Sequence, residues 1–384
     1  MVRHRLKICH IISGDLWAGA EVMAYQLIKG LYRGCDVSVI VVLLNEGTLA
    51  DKLKQSGVRV FVIDEKRTNF INILKEVKKI CRNYNPTIIH THRYKENLLA
   101  YWAPRQGNKV KLVATQHGMP EPSQSLFNFK HKIIQKYNLR VLKRHFSRVV
   151  LVSEDIKNYF VNTLAFNNDK IKVIHNGIEI LQDRGDKRRF KTFTVGSCGR
   201  LFPVKDYPFL IEVARECSTQ KSNIHFILAG DGPGRGKLKA LVEKYGLNGS
   251  FEFLGHVENM HEFYKGLDLY INTSLHEGIP MSVLEAMSYG LPVIAPRVGG
   301  LPEIIEDGAE GFLIDTRDPR TFSKKCLLLA NDRALWQKMS RAALEKVTNH
   351  FSVSHMVEKY LTLYDKLPSF RGRNTYSQRQ ESEE

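Results

Sequence analysis

Short apolar runs alternate with longer amphipathic stretches along almost the whole chain of 384 residues. The apolar runs have the length and composition of buried strands, and most of the stretches between them have helical periodicity. Strands that alternate with helices form parallel sheets with helices on both faces. The pattern therefore predicts a doubly wound α/β fold, and the chain is long enough for two domains of ordinary size.

A polar and charged stretch, 179–191, divides this alternation into two series. The predicted strands are Leu6 to Ile12, Val37 to Leu44, Val58 to Ile63, Ile88 to His90, Leu112 to Thr115 and Val149 to Val152, then Thr194 to Ser197, His225 to Ala229, Phe251 to Phe253, Leu269 to Ile271, Pro292 to Ala295 and Phe312 to Leu313. We predict Rossmann-like domains over 1–178 and 192–350 with the linker between them. A helix over 351–367 and a disordered tail over 368–384 would follow.

Composition narrows the class of protein. The longest apolar run, Val37 to Leu44, is far shorter than the roughly 20 residues that span a bilayer. The basic start is followed only by the patch Ile8 to Ile12, which favours a first strand over a signal peptide. The six cysteines form no C-x-x-C pair, so reduced thiols in a cytoplasmic protein are expected.

The formal charge of +17 lies almost entirely in the first half: residues 1–178 hold 29 Lys and Arg against 13 Asp and Glu. Such asymmetry indicates a polyanionic partner. The stretch 129–148 has helical periodicity, with Lys132, Lys136, Arg140 and Lys143 beside Ile133, Tyr137 and Val141. It predicts contact with an anionic membrane surface, the alternative being a solvated face over the core. Nucleic acid is disfavoured because no recognisable binding module accompanies the charge.

The segment Asn272 to Gly300 carries the strongest chemical signal. A polar loop follows an apolar strand, Pro280 suits the first turn of a helix, and Ser282 to Tyr289 read as that helix. Glu277 lies just before the helix and Glu285 lies inside it. A helix N-terminus between two carboxylates suits a ligand that bears both phosphate and hydroxyl groups, such as a nucleotide sugar.

Glu277 and Glu285, with seven residues between them, resemble the E-x7-E motif of the family 4 retaining glycosyltransferases, and Gly290 to Ile314 continues the resemblance. The family implies the GT-B fold, in which two Rossmann-like domains face a cleft, with the donor bound mainly by the second domain. It implies transfer of a hexosyl-type unit with retention at the anomeric carbon. Without a D-x-D triplet, no metal or other cofactor is expected.

The resemblance assigns roles to individual residues. Glu277 and the His117 of TQHG would contact the donor sugar, and Glu285 the ribose. Arg200 and Lys205, in GRLFPVKDY, would hold the diphosphate. The further donor-binding residues that it implies are Gly19, Gly230, Val257, Gly278, Ile279, Pro280, Met281 and Ser282.

Some histidines have open assignments. A lone histidine after a strand is more often structural, so His117 depends on the resemblance. His90 and His92, in IIHTHRY, leave open which of them is in the core and which faces the cleft.

The favoured function is sugar transfer from a nucleotide-diphosphate sugar, with UDP the expected nucleotide, to a lipid-linked or glycan acceptor. Such a reaction belongs to the synthesis of cell-surface polysaccharide, lipopolysaccharide or glycolipid, at the cytoplasmic face of the cell membrane. A transferase with a soluble acceptor and a nucleotide-sugar epimerase on the same architecture are the alternatives. A binding protein with an inactive site is disfavoured because Glu277, Glu285, Arg200 and Lys205 are all present.

Overall fold

A computed structural model of the protein describes residues 6–34, 36–103, 110–119, 129–180, 192–220 and 223–367, apart from the side chains of 129–131. These residues form two sheets in which every paired strand is parallel to its neighbour. The first has seven strands in the order β3-β2-β1-β4-β5-β6-β7, and the second has six in the order β10-β9-β8-β11-β12-β13. The predicted α/β fold with two doubly wound sheets is confirmed.

The strands are short and mostly buried, as expected for parallel sheets covered on both faces. They are β1 (Leu6–Ile12), β2 (Val37–Leu43), β3 (Arg59–Val62), β4 (Ile88–Thr91), β5 (Lys111–Gln116), β6 (Arg148–Leu151), β7 (Ile171–Val173), β8 (Phe193–Cys198), β9 (Ile224–Ala229), β10 (Phe251–Gly255), β11 (Leu269–Ile271), β12 (Val293–Pro296) and β13 (Gly311–Ile314).

The α-helices lie between and after these strands. They are α1 (Gly19–Gly34), α2 (Thr48–Gln55), α3 (Phe70–Tyr84), α4 (Tyr94–Trp102), α5 (Phe129–His145), α6 (Glu154–Asn158), α7 (Tyr207–Thr219), α8 (Arg235–Lys244), α9 (Met260–Lys265), α10 (Met281–Ser288), α11 (Leu301–Ile304), α12 (Pro319–Asn331), α13 (Arg333–His350) and α14 (Val353–Asp365). Within the described ranges no helix has the length and apolar character needed to cross a bilayer.

After β7 the chain leaves the first sheet toward α14, where Ile178 pairs with Ser352. Two local expectations need correction. Helix α10 begins at Met281, with Pro280 in the capping position. On α5, Val141 is buried under the helix instead of sharing the surface with Tyr137. The predicted tail and most of the predicted linker lie outside the described residues.

The last helix returns to the first sheet. A Cβ atom on Gly30 of α1 would lie only 2.6 Å from Val357 Cγ2 of α14, so the two helices are in close contact. The Tyr364 hydroxyl bonds His90 Nδ1 at 2.7 Å, and the Tyr360 hydroxyl bonds Thr115 Oγ1 at 2.9 Å. Helix α14 therefore ties the end of the chain to strands β4 and β5.

Candidate active site

The carboxylate of Glu277 lies in the loop between β11 and α10, where it accepts three hydrogen bonds on a single oxygen. Lys205 Nζ lies 2.5 Å from Glu277 Oε1, Ser274 Oγ 2.6 Å and Asn272 Nδ2 3.4 Å from the same atom. The two charged side chains are 24% and 12% exposed. Because charge-assisted hydrogen bonds are the strong ones, this arrangement fixes the carboxylate in one orientation.

Lys205 comes from a neighbouring loop that is attached to the Glu277 loop through the backbone. It ends the 3₁₀ turn Pro203–Lys205, which follows β8. The Thr273 hydroxyl donates to the Lys205 carbonyl at 2.9 Å, and the Leu275 N–H donates to the Val204 carbonyl at 2.8 Å. The position of the ammonium group is therefore set by the fold and not by the ion pair alone.

A glycine pair supports Glu277 from behind. The Gly300 N–H donates to the Glu277 carbonyl at 3.1 Å. Gly299 has a φ of +54°, and a Cβ atom there would lie 1.9 Å from the same carbonyl oxygen. The positive φ and the short Cβ distance require glycine at 299, since a side chain there would be strained and would displace Glu277.

The N-terminus of α10 lies between the two acids. Pro280 caps the helix without offering a side-chain acceptor. Among the described residues, neither the Met281 N–H nor the Ser282 N–H is paired with a backbone carbonyl. Free N–H groups and the positive end of the helix dipole can bind the oxygens of a phosphate group.

Glu285, one helical stretch further on, has a very different environment from Glu277. Its Oε2 accepts a 2.7 Å hydrogen bond from the Tyr264 hydroxyl, and the Tyr264 ring stacks on Tyr289. Burial raises the pKa of Glu285 to about 7, against the lowering effect of the Tyr264 hydroxyl. This carboxyl group therefore changes charge near neutral pH.

Arg200 is exposed at the start of the loop after β8, with its guanidinium 4.2 Å from the centre of the Phe202 ring. No ion pair involves it within the described residues. Gly230 packs on this loop, because a Cβ atom there would lie 2.0 Å from the Gly199 carbonyl oxygen. Val257 follows β10 nearby in sequence and is partly buried.

The opposite side of the site is built from the first sheet. His117 follows β5, and its carbonyl oxygen lies 2.8 Å from the position that a Cβ atom on Gly278 would take. Likewise, a Cβ atom on Gly19 would lie 3.6 Å from Met281 Cγ. The loops of the two sheets are thus in contact on either side of the α10 N-terminus.

Two further imidazole rings, those of His92 and His10, continue inward from His117. His117 Nε2 lies 3.1 Å from His92 Nδ1, and His92 Nε2 lies 3.4 Å from His10 Nδ1. We call His10, His92 and His117 the histidine ladder. His117 is partly exposed, whereas His10 and His92 are buried. The expectation that either His90 or His92 faces the cleft is therefore wrong for side-chain exposure, since both are buried.

All the ladder histidines are uncharged at neutral pH. Burial lowers the pKa of His10 and of His117 to about 3, and it lowers the pKa of His92 well below the ordinary value. Arg93 adds a smaller effect of the same sign at His92 and His117. A charged ring would be both desolvated and close to other imidazoles, so the neutral form is favoured.

One group of described residues has the spacing of metal ligands: nitrogen atoms of His10, His90 and His92 lie within 4.8 Å of one another. Most of these nitrogens already have partners, with His10 Nε2 the exception among the described residues. His90 bonds Tyr364 and Thr115 through its two ring nitrogens, at 2.7 and 2.8 Å. His92 bonds its two imidazole neighbours. A metal ion would have to break several of these bonds, so the cluster fits a hydrogen-bond network better.

Contacts between the two sheets' loops complete the site. Glu303 of α11 accepts from the N–H groups of Glu154 and Asp155 in α6, at 3.0 and 3.3 Å, and bonds His175 Nε2 at 2.8 Å. Burial alone would raise the pKa of Glu303, but these donors lower it overall. Asn176 Nδ2 also donates to the Ile279 carbonyl at 2.7 Å. The loop that carries Glu277 is thereby attached to the first sheet.

Comparison with known proteins gives this geometry a context. A family model described as "Glycosyltransferase Family 4" matches residues 17–180, and one described as "Glycosyl transferases group 1" matches residues 181–346. The chain belongs to the family 4 glycosyltransferases. It is therefore an enzyme that transfers sugars, and the resemblance seen in the sequence is confirmed.

Two relatives and one structure illustrate the family. The chain is 26% identical to "UDP-Gal:alpha-D-GlcNAc-diphosphoundecaprenol alpha-1,3-galactosyltransferase" of Escherichia coli, over 94% of this chain and 97% of that one. It is 24% identical to "N-acetyl-alpha-D-glucosaminyl L-malate synthase" of Bacillus anthracis, over 76% and 78%. The crystal structure of HepE from Anabaena with UDP and glucose superposes with a TM-score of 0.81 at 20% identity, covering 94% of this chain and all of that one. The likeness shows the GT-B fold.

In this glycosyltransferase the predicted donor residues come from loops of both sheets. Glu277, Lys205 and the α10 N-terminus come together, and Glu285 follows inside that helix. Arg200 lies in the same loop as Lys205 but makes no contact with Glu277. His117 and Gly19 reach the site from the first sheet.

Sequence reasoning missed Ser274 and Asn272, although both lie within five residues of Glu277 in a polar loop and could have been expected to bond it. Tyr264, Glu303 and the inner ladder residue His10 left no local signal, because each reaches its partner only through the tertiary fold.

Proposed function

We propose that this glycosyltransferase moves a sugar from a UDP-sugar to a lipid-linked or glycan acceptor, with retention at the anomeric carbon. The observation that carries the proposal is the Lys205–Glu277 pair beside the free N–H groups of α10. It places a fixed cation, a fixed carboxylate and an anion-binding helix end within one loop system, as a reaction with a diphosphate leaving group requires.

The leaving diphosphate would be held by positive groups that are already in position. Lys205 and the Met281 and Ser282 N–H groups supply donors near Glu277, and Arg200 supplies an exposed guanidinium. Donors arranged before the reaction stabilise the charge that develops as the bond to the sugar breaks. In this proposal these groups carry out the neutralisation that a metal ion performs in other transferases.

Glu277 would orient the sugar through the oxygen that the protein leaves unused. Its three protein donors all bond Oε1, and no described residue bonds Oε2. Oε2 can therefore accept from a sugar hydroxyl while Oε1 keeps the carboxylate fixed. The transition state resembles an oxocarbenium ion, so a negative carboxylate beside it is stabilising.

Glu285 would accept the ribose hydroxyls. Its carboxyl group is partly buried and Tyr264 occupies Oε2, which leaves Oε1 for the ligand. Uracil as the base is supported by HepE, which was crystallised with UDP, and by the Escherichia coli relative, whose name gives UDP-Gal as donor.

A lipid-linked acceptor at the cytoplasmic face of the membrane is supported by the surface of α5. Ile133, Ile134 and Tyr137 are 50%, 40% and 39% exposed. Lys132 and Lys136 are exposed among them. Apolar side chains ringed by cations suit the interface of an anionic bilayer. The Escherichia coli relative's name also gives a diphosphoundecaprenol-linked acceptor.

The test is release of nucleoside diphosphate from a panel of nucleotide sugars, with and without a membrane lipid extract. Wild-type protein is expected to release UDP from one donor, faster with the extract. Replacing Glu277→Ala is expected to reduce the rate at least about 100-fold, because a preorganised charged group is lost. NMR of the isolated product would report the anomeric configuration.

The matched control is Glu258→Ala, which removes an exposed carboxylate from the same domain. It should retain the wild-type rate. Conversion of the donor to an isomer without UDP release would contradict the proposal and favour an epimerase. Equal rates for the Glu277→Ala and wild-type proteins would show that Glu277 is not part of the active site.

A soluble acceptor is the second candidate, since the Bacillus anthracis relative's name gives L-malate as the unit that receives the sugar. Flotation with phosphatidylglycerol vesicles separates the two. Membrane docking predicts co-flotation that is lost at high salt and in an Ile133→Asp, Tyr137→Asp double variant. Failure to float, together with salt-insensitive activity on small acceptors, would favour the soluble acceptor.

A further inference from the structure

Arg317, in the loop between β13 and α12, joins the loops that carry Lys205 and Glu277. Its Nη2 group donates to the Oδ2 atom of Asp206, the residue after Lys205, and to the Thr273 carbonyl, which lies 3.0 Å away. Thr273 precedes Glu277 in the loop between β11 and α10, and its hydroxyl donates to the Lys205 carbonyl at 2.9 Å. One guanidinium nitrogen therefore closes a ring of hydrogen bonds that includes both loops.

Asp206 has an uncommon backbone conformation. Its φ is +47° and its ψ is +50°, in the left-handed region that residues other than glycine rarely adopt. It caps the N-terminus of α7, a position in which aspartate usually accepts a hydrogen bond from the helix, but its side chain makes no such bond. The carboxylate instead accepts from Arg317. The contact with Arg317 thus takes the place of an ordinary helix cap.

The charge of Asp206 makes this contact relevant to the diphosphate. Asp206 directly follows Lys205, and an unpaired carboxylate there would repel an anion held by the lysine. The side chains of Arg317 and Asp206 are only 33% and 26% exposed, so solvent screens their charges incompletely. The guanidinium also lies 4.5 Å from the centre of the Phe209 ring, a third contact that restricts its position.

We propose that Arg317 is a positioning residue for Lys205. It holds the loop of Lys205 against the loop of Glu277, so that the ammonium group stays beside the carboxylate, and it compensates the negative charge of Asp206. Arg317 acts through Asp206 and Thr273 and not on the substrate. The part of this inference that concerns the diphosphate rests on the proposed function.

The first test needs no ligand. Lysines of the full-length protein are acetylated competitively at pH 7.5, and the rates are read by mass spectrometry. Lys205 should react more slowly than exposed Lys239 in the wild type, because its ammonium group is held by Glu277. In Arg317→Met the rate at Lys205 should rise roughly fivefold relative to Lys239, the effect of about one hydrogen bond. An unchanged rate would overturn the proposal.

The second test measures the affinity for UDP by calorimetry. Arg317→Met should weaken binding roughly tenfold, because a charge-assisted contact is lost and Asp206 is left unpaired. Adding Asp206→Asn removes that unpaired charge, and asparagine tolerates the left-handed conformation, so the double variant should recover most of the affinity. A merely structural role of Arg317 would not be reversed in this way. Equal affinities of the single and double variants would therefore overturn the role assigned to the charge of Asp206.

Arg320→Met is the matched control, since it removes an arginine of the first turn of α12 that is 78% exposed. It should leave the acetylation rate at Lys205 and the affinity for UDP at their wild-type values. If the wild type binds no UDP, the proposed donor is wrong, while the acetylation rates still decide whether Arg317 positions Lys205.

Discussion

The two sides of the cleft differ in charge. The second sheet presents a charged pair, Lys205 and Glu277, held by hydroxyl, amide and backbone groups. The first sheet presents His117, an imidazole that burial keeps neutral. Both sides are built from loops at the carboxyl ends of parallel strands, so the fold alone does not account for the difference.

The difference matches the charges expected in the proposed reaction. A diphosphate gains negative charge as it leaves, so fixed cations on its side lower the barrier. The sugar gains positive charge, and a protonated imidazole beside it would oppose that change. A neutral His117 avoids placing a positive charge beside the sugar while the bond to the leaving group breaks.

The substitution Lys205→Met should remove the Lys205–Glu277 ion pair and have the largest effect on kcat. The alkyl chain is kept, while the cation that bonds Glu277 and would face the diphosphate is lost. We expect kcat to fall about 10²- to 10³-fold in the UDP-release assay, as for removal of one preorganised donor.

Lys239→Met is the control for this change, because it removes an exposed cation from α8 of the same domain. It should leave kcat within about twofold of wild type. A Lys205→Met protein that raises only KM, with kcat intact, would mean that Lys205 serves substrate binding alone and not the transition state.

Glu285→Gln tests the second carboxyl group of the site, which is half-buried and bonded by a tyrosine hydroxyl instead of a lysine. The native pKa of about 7 exceeds the unfolded value, so the native state keeps its proton longer. Wild-type stability should therefore fall as pH rises from about 4.5 to 7, by at most about 3 kcal/mol. Glutamine does not titrate, so Tm of Glu285→Gln relative to wild type should be higher at pH 8 than at pH 5.

Thermal unfolding of the variant and the wild type at both pH values provides the measurement. The same Tm difference at pH 5 and pH 8 for Glu285→Gln would show that Glu285 is not titrating in this range. The donor affinity of this variant should fall, because an amide is a weaker acceptor for ribose hydroxyls than a carboxylate.

The sequence was sufficient for the α/β fold and for the position of Glu277 just before helix α10. Apolar runs of strand length gave the parallel sheets, since burial on both faces leaves a continuous apolar signal. Ser274 and Glu277 are three residues apart, so their contact is a matter of loop geometry. Pro280, which caps α10, also acts within a few residues of its position.

The long-range contacts could not be predicted in the same way. His10 and His117 are joined through His92, from three different parts of the chain, and their connection depends on the order of β1, β4 and β5 in the sheet. The pKa of Glu285 depends on burial and on Tyr264, which belongs to another helix. Such contacts follow from packing, and packing leaves no periodic pattern in one sequence.

Glu303→Ala should separate the two sides of the cleft without changing either. Its carboxylate joins α11 to the N-terminus of α6 and to His175, while Lys205, Glu277 and the ladder stay intact. Loss of these bonds removes roughly 1–2 kcal/mol from the closed arrangement, so kcat/KM should fall about five- to thirtyfold. Glu303→Gln keeps one acceptor oxygen, so its kcat/KM should lie between those of Glu303→Ala and the wild type.

Small-angle X-ray scattering with and without UDP would show whether Glu303→Ala acts through the contact between the domains. A larger radius of gyration in the variant, with Glu306→Ala unchanged, is the expected result, because Glu306 is an exposed acid close to Glu303. Wild-type dimensions with reduced activity would locate the effect within one side of the cleft. In that case contacts other than those of Glu303 would hold the charged side and the neutral side of the cleft together. The hydrogen bond from Asn176 to the Ile279 carbonyl would be the next contact to remove.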